Sequence, residues 1–225
     1  MEVTRSHESG RLPILVGGTG LYIRTLLDGI APIPPIDPAV RSTVRGADAQ
    51  ENRARLLDLD AEAAERLQPT DTARIARALE VVLSTGRRLA DWQRERSGGI
   101  GTAIALHPII LLPDRNWLYR RCNERFAAML DGGAVEEVRS LLARNLDPML
   151  PAMRAIGVRE IGSWLAGETG REQAIAAGAQ ATRNYAKRQY TWFAHQPPED
   201  WPRFPESLSD LATTKRALAL LDTSF

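Results

Sequence analysis

Along most of the chain apolar residues recur every three or four positions, and two apolar runs read as strands instead. The first run, residues 12–16 ("LPILV"), lies between Arg11 and Gly17 and predicts a buried strand of a parallel sheet. Behind the glycines Leu21, Tyr22, Leu26 and Leu27 return at helical spacing as far as Gly29, which is placed to end a helix. The glycine-rich "GGTG" therefore joins a predicted strand to a predicted helix. The second run, residues 103–112, predicts another strand.

Elsewhere the periodicity is helical. The proline-rich residues 30–38 fit neither element and read as a stiff connector, after which Asp37 and Pro38 supply an N-cap and a first-turn proline for a helix carrying Arg41. Residues 51–96 are charged and helical. The clearest element is "DTARIARALEVVLSTG", where Asp71 caps, Ile75, Leu79, Val82 and Leu83 form one stripe, and Gly86 stops the helix. "SGGIGT" (residues 97–102) is a flexible joint. The C-terminal half predicts amphipathic helices over residues 115–130, 135–142, 152–165 and 171–195. Leu118, Cys122, Phe126 and Met129 are inward in the first of these, which "DGG" ends. The expected organisation is an α/β core remainder, residues 1–37 and 103–225, interrupted by a helical insertion, residues 38–102.

Composition narrows the function classes. The 225 residues carry 29 Lys and Arg against 28 Asp and Glu, so any affinity for nucleic acid must come from clustered cations rather than net charge. The single cysteine, Cys122, excludes an internal disulfide. The opening "MEVTRSHESGR" contains no signal-peptide core, and no apolar run approaches the roughly 20 residues of a membrane helix. A soluble, cytoplasmic protein with no membrane partner is expected. There is no internal repeat or low-complexity tract.

Three groups of residues stand out. Gly17, Gly18 and Gly20 fit an ordinary tight turn as well as a ligand loop. They do not form a Walker A loop, because no lysine and hydroxyl follow them, nor a dinucleotide fingerprint. Thr19, a hydroxyl at a helix start, is placed to meet a phosphate or ribose. Arg74 and Arg77 lie three apart along one edge of their apolar stripe, a position equally suited to a solvated surface. Arg183, Lys187 and Arg188, at i, i+4 and i+5 beside Tyr185, Trp192 and Phe193, resemble a phosphate clamp. His7, His107 and His195 lack ligand spacing to one another and to Cys122, so side chains alone indicate no metal site. Glu136 and Glu137 read as helix surface and Asp114 as a cap. Pattern alone indicates an α/β protein with a helical insertion and two cationic edges, a binder of something phosphorylated.

Five segments, "PILVGGTGLYIRTLLDG", "DTARIARALEVVLSTGR", "LYRRCNERFAAMLDGGAVEEV", "RAIGVREI" and "ATRNYAKRQYTWF", occur in the order of motifs in the tRNA dimethylallyltransferase (tRNA isopentenyltransferase) family. The resemblance covers about residues 12–193. It implies a nucleotide-binding, P-loop kinase-like α/β core with a helical insertion gripping the tRNA anticodon stem-loop. It also implies magnesium-assisted transfer of a dimethylallyl group from dimethylallyl diphosphate to N6 of the adenosine 3′ of the anticodon.

By that resemblance Arg183, Lys187, Arg188 and Gln189 face substrate phosphates or the nearby tRNA backbone, and Gly18 and Thr19 line the reaction channel. Arg41, Thr70, Asp71, Thr72, Ala73, Arg74 and Arg77 contact tRNA from the insertion. Arg154, Gly157 and Arg159 form another tRNA-contacting segment, in which Val158 stands where an aromatic is common; Trp192 joins Lys187 and Arg188 at the tRNA. The family's GxTxxGKS/T loop and the "DSxQ" segment with its general-base aspartate have no counterpart here. The expectation is therefore an N-terminally truncated transferase, monomeric, inactive alone and with a solvent-facing edge at residues 12–16. A non-catalytic tRNA-binding module and a structural or interaction protein stay open as alternatives.

Overall fold

The computed structural model describes residues 2–222. In chain order the helices are α1 (Glu2–Glu8), α2 (Gly20–Asp28), α3 (Pro38–Gly46), α4 (Ala49–Leu59), α5 (Ala61–Arg66), α6 (Thr72–Thr85) and α7 (Leu89–Arg94). The two-residue strand β1 (Ile110–Leu111) follows, then α8 (Arg115–Met129), α9 (Val135–Leu142), α10 (Val158–Leu165), α11 (Arg171–His195), β2 (Arg203–Phe204) and α12 (Leu211–Asp222). The chain divides into two compact units, one of residues 21–106 and the other of the residues before and after them.

In the first of these, α6 is the central helix. The Asp71 carboxylate caps it by accepting from the Arg74 amide, and Gly86, in the left-handed region at φ 68°, closes it. Ile75, Ala76, Ala78, Leu79 and Val82 of α6 pack with Val44, Leu56, Ala63 and Ala64 from α3, α4 and α5. Asp37, Asp48 and Asp60 accept from amides in the first turns of α3, α4 and α5. That regular capping explains why a charged segment holds several short helices without long apolar faces.

The other unit is built on α8 and α11. Phe126, Leu130, Val135, Val138, Val158, Ile161 and Ala179 form its core. "DGG" does not separate α8 from α9 completely. A five-residue π turn, Leu130–Ala134, carries the chain between them, with Gly133 at φ 104° absorbing the kink. Residues 152–165 are two pieces rather than one helix: a 3₁₀ turn, Pro151–Arg154, and α10, separated by Gly157 at φ 104°. The Glu160 carboxylate accepts from the Gly157 amide at 2.9 Å and fixes the α10 start. Met129, expected inward, is 38% exposed because the chain has begun its kink there.

The α/β expectation is met only by a small parallel sheet within a mostly helical fold. Residues 12–16 are not a buried strand: Leu12, Ile14, Leu15 and Val16 are 60–95% exposed, and no strand among the described residues pairs with them. Five apolar residues in a row meet the local signature of a buried strand, but they need a ladder partner to be buried. Residues 103–112 contribute only β1, which runs parallel to β2 with Ile110 opposite Arg203 and Leu111 opposite Phe204. Pro108 and Pro113 flank β1 and cannot donate to a ladder, which confines the pairing. Apart from that pair and a single antiparallel bridge between Ile30 and Ser97, the described fold is helical and loop.

Candidate nucleic-acid and phosphate site

The glycine loop and α11 meet in one place. Gln189 donates through Nε2 to the Gly18 carbonyl at 2.7 Å, and the Thr19 and Tyr185 hydroxyls are 3.5 Å apart. The loop lies so close to the helix that a Cβ on Gly18 would sit 2.3 Å from Gln189 Nε2, and one on Gly20 would sit 2.2–2.4 Å from three atoms of the Trp192 indole. Gly17 has open space instead. The glycines thus serve close backbone approach to one helix face, formed by Tyr185, Gln189 and Trp192 at i, i+4 and i+7. Trp192 is itself braced edge-on by Phe193, ring centroids 4.9 Å apart.

Cations flank this face. Arg188 lies 5.7 Å from the Tyr185 ring centroid, and Lys187 beside it is exposed. Among the described residues no carboxylate pairs with Lys187 or Arg188, so their charges are available to an anion. Arg183 points toward α8, donating to the neutral side chains Asn123 and Gln180, which orient its guanidinium without neutralising it. Beside it an open groove of about 640 Å³ is lined by Leu118, Cys122, Arg125, Met129 and Thr182. Burial pushes the Cys122 thiol above its ordinary range against the opposing pull of Arg125 and Arg183, which makes it a poor nucleophile.

The remaining expected residues fall in two further places. Arg154 and Arg159 are exposed on either side of the buried Gly157, and Val158, 8% exposed, is committed to the core. In the unit of residues 21–106, Arg41, Thr70, Thr72, Ala73 and Arg74 are exposed. Arg74 pairs with the capping Asp71 at 2.7 Å, and Arg77 lies 3.8 Å from Glu80. Sequence reasoning passed over Glu80, 1% exposed within "ALEVV", and its second cation, Arg45. An acidic residue inside an apolar run with arginine three positions earlier was the available signal. Among the described residues there is no group of three or more His, Cys, Asp or Glu that could hold a metal ion. No helix among them is long and apolar enough to cross a membrane.

Comparison with known proteins adds the following. The family profile described as IPP transferase matches residues 1–196. A protein named tRNA dimethylallyltransferase from Erythrobacter litoralis is 65% identical over 202 residues, covering 90% of this chain and 64% of that protein. The chain thus spans somewhat under two thirds of this relative's length. A protein of the same name from Sphingopyxis alaskensis is 56% identical over 221 residues, 98% of this chain and 72% of that one. Among solved structures, a tRNA isopentenylpyrophosphate transferase from Bacillus halodurans is 28% identical with a TM-score of 0.60, covering 99% of this chain and 71% of that one. A eukaryotic dimethylallyltransferase described as acting on tRNA has a TM-score of 0.72 at 23% identity, covering 97% and 58%, a likeness of fold.

Proposed function

The chain belongs to the IPP transferase family, and on that premise we propose that it takes part in dimethylallyl transfer from dimethylallyl diphosphate to N6 of the adenosine 3′ of a tRNA anticodon. The observation that carries this reading is the seating of the glycine loop on α11, which sets Thr19 beside Tyr185 with Lys187 and Arg188 on the same helix. The target amine is unreachable in a stacked loop, so the base must leave its stack, and Thr19, Tyr185 and Trp192 provide a polar and aromatic wall to receive it.

As the allylic carbon–oxygen bond breaks, positive character grows on carbon and negative charge on the departing diphosphate. Fixed cations aimed at those oxygens bind the transition state more tightly than the ground state. Lys187 and Arg188 have that role in this reading, with Arg183 oriented by Asn123 as a further donor. Gln189 is a positioning residue, since its amide holds the Gly18 carbonyl and through it Thr19.

The test is transfer to an anticodon stem-loop RNA. The chain is compared with a form extended at its N terminus by a P-loop and an aspartate segment of the family type. Arg188→Ala should lower turnover about 100-fold in whichever form is active, the usual scale for losing one preorganised oxyanion donor, with an unchanged melting temperature. Wild-type turnover in Arg188→Ala would remove the phosphate role. Stem-loop binding with no transfer by either form would leave a non-catalytic RNA-binding module instead.

A further inference from the structure

Residues 12–16 present an unpaired edge whose chemistry selects its own partner. Leu12, Ile14, Leu15 and Val16 are all exposed, Ile14 by 81% and Val16 by 95%. None of residues 12–17 belongs to a helix or strand, and among the described residues no hydrogen bond involves their backbone. Free amides and carbonyls set between apolar side chains are a template for strand pairing. The segment carries no charge, so a strand laid along it must be apolar over the same length, and a second copy of these residues meets that condition.

The residues also select a direction and a register for such a pair. Two copies related by a two-fold axis present the same edge to each other only when the strands run antiparallel. A parallel pair in register would set Arg11 beside Arg11 of the second copy, and like charges directly opposite are destabilising. An antiparallel pair centred on Ile14 sets Arg11 opposite Gly17 instead, whose surroundings are open: a Cβ there would meet nothing within 4 Å. In that register residues 12, 14 and 16 form the hydrogen-bonded pairs, while 13 and 15 form the non-hydrogen-bonded pairs with their backbone groups turned away. Pro13, which has no N–H, therefore costs the ladder nothing. The ladder ends where Gly18, its carbonyl already held by Gln189, would face Gly10, whose φ of 64° turns the chain out of line. On the opposite edge only Leu15 of residues 12–16 has an N–H to offer, too little to seat a third strand, so the assembly closes at two copies.

We infer that this chain forms a two-fold dimer through antiparallel pairing of residues 12–16 with the same residues of a second copy, centred on Ile14. The dimer replaces the monomer expected from the sequence and does not depend on the proposed function. A five-residue strand on each side falls well short of the about 20–30 residues a side of a standard interface, so the association is weak and reversible, with a Kd of about micromolar or higher. Its distinctive consequence is an alternation: substitutions at even and odd positions of the segment act differently although both remove exposed apolar side chains.

Sedimentation equilibrium of the chain alone across a wide range of concentration tests this. The mass should rise from one copy to two and level off. Ile14→Pro removes the amide that each copy donates in the central pair and should weaken association about tenfold or more. Leu15→Pro removes an amide that faces away and should leave the dimer within about threefold of wild type. General stickiness of an apolar segment would respond to both alike. Oxidation of cysteine variants checks the register without proline and decides the matter if a proline variant does not fold. Ile14→Cys should give a disulfide-linked dimer, since hydrogen-bonded partners lie with Cα atoms about 5.5 Å apart. Leu15→Cys, opposite Pro13 rather than its own counterpart, should not, and the buried Cys122 is common to both. A wild type that stays monomeric at every concentration, growth beyond two copies without a plateau, equal effects of the two proline variants, or cross-linking by Leu15→Cys but not by Ile14→Cys overturns the inference.

Discussion

Replacing Gly178 by alanine sets two physical effects of opposite sign against each other. Gly178 lies inside α11, where alanine is the better helix former by about 1 kcal/mol. On propensity alone Gly178→Ala stabilises. Its Cβ, however, would fall 1.9, 2.3 and 2.4 Å from Cζ, Cε1 and Cε2 of Phe126. Carbon atoms pack at about 3.5–4.0 Å, so the ring would have to retreat by more than an ångström. Phe126 is 2% exposed, and Gly157 and Ile161 lie close to the same ring. Overpacking of this kind costs about 1–3 kcal/mol and occasionally more, and collision with three ring atoms belongs at the upper end. The net expectation is a loss of about 2 kcal/mol, or about 4–8 °C in melting temperature for a domain of this size. Thermal denaturation followed by circular dichroism measures it. A Phe126→Leu background checks the cause, since removing the ring should shrink the alanine penalty. A melting temperature equal to or above wild type would refute the claim that this contact, rather than chain flexibility, requires glycine at 178.

The loop glycines should separate in the same way, with Gly17→Ala within about 0.5 kcal/mol of wild type and Gly20→Ala, against the rigid Trp192 indole, the most damaging to stem-loop binding. Gly18→Ala should be intermediate, because Gln189 can swing aside but then loses its 2.7 Å bond; equal binding by all three variants would refute the close-approach reading. At the other end of the chain, hydrogen bonds from the Thr213 amide and hydroxyl hold the Asp210 carboxyl below its ordinary range. Because the folded value is the lower one, the stability it lends α12 is fully present above the unfolded value of about 3.9 and is lost as pH falls through the folded value. Helicity of wild type minus that of Asp210→Asn should therefore decline only below about pH 4, and a decline centred above pH 5 would contradict this assignment.

What was legible in the sequence follows from where the stabilising partner lies. The bounds of α9 and α11 and both ends of α6 could be read because caps, glycines and apolar stripes are local signals. The strand expected at residues 12–16 could not be tested by local pattern, since burial of an apolar run depends on a ladder partner elsewhere. β2 is two residues long in a stretch rich in proline and aromatic residues, below the length at which periodicity means anything. α12 went unread although Asp210 and the run "LATTKRALALLD" carried the usual start signal. In the candidate site, the cations of α11 were visible by spacing alone. That Gly18 and Gly20 face Gln189 and Trp192 was not, because those contacts join residues more than 170 positions apart.

The composition of α11 explains how one helix can serve core and site together. Its buried side is nearly all small: Ala174, Gly178, Ala179 and Ala186. Such residues have almost no side-chain entropy to lose on burial and let α11 press directly on the Phe126 ring of α8. A face of leucines would bury more apolar area but hold the helices further apart, and Arg183 could then no longer reach Asn123 across the gap. The sparse apolar content of α11 is therefore no weakness of the element. It fixes the helix by shape, leaves Tyr185, Gln189 and Trp192 to hold the glycine loop, and keeps Lys187 and Arg188 in solvent, where a phosphate can reach them.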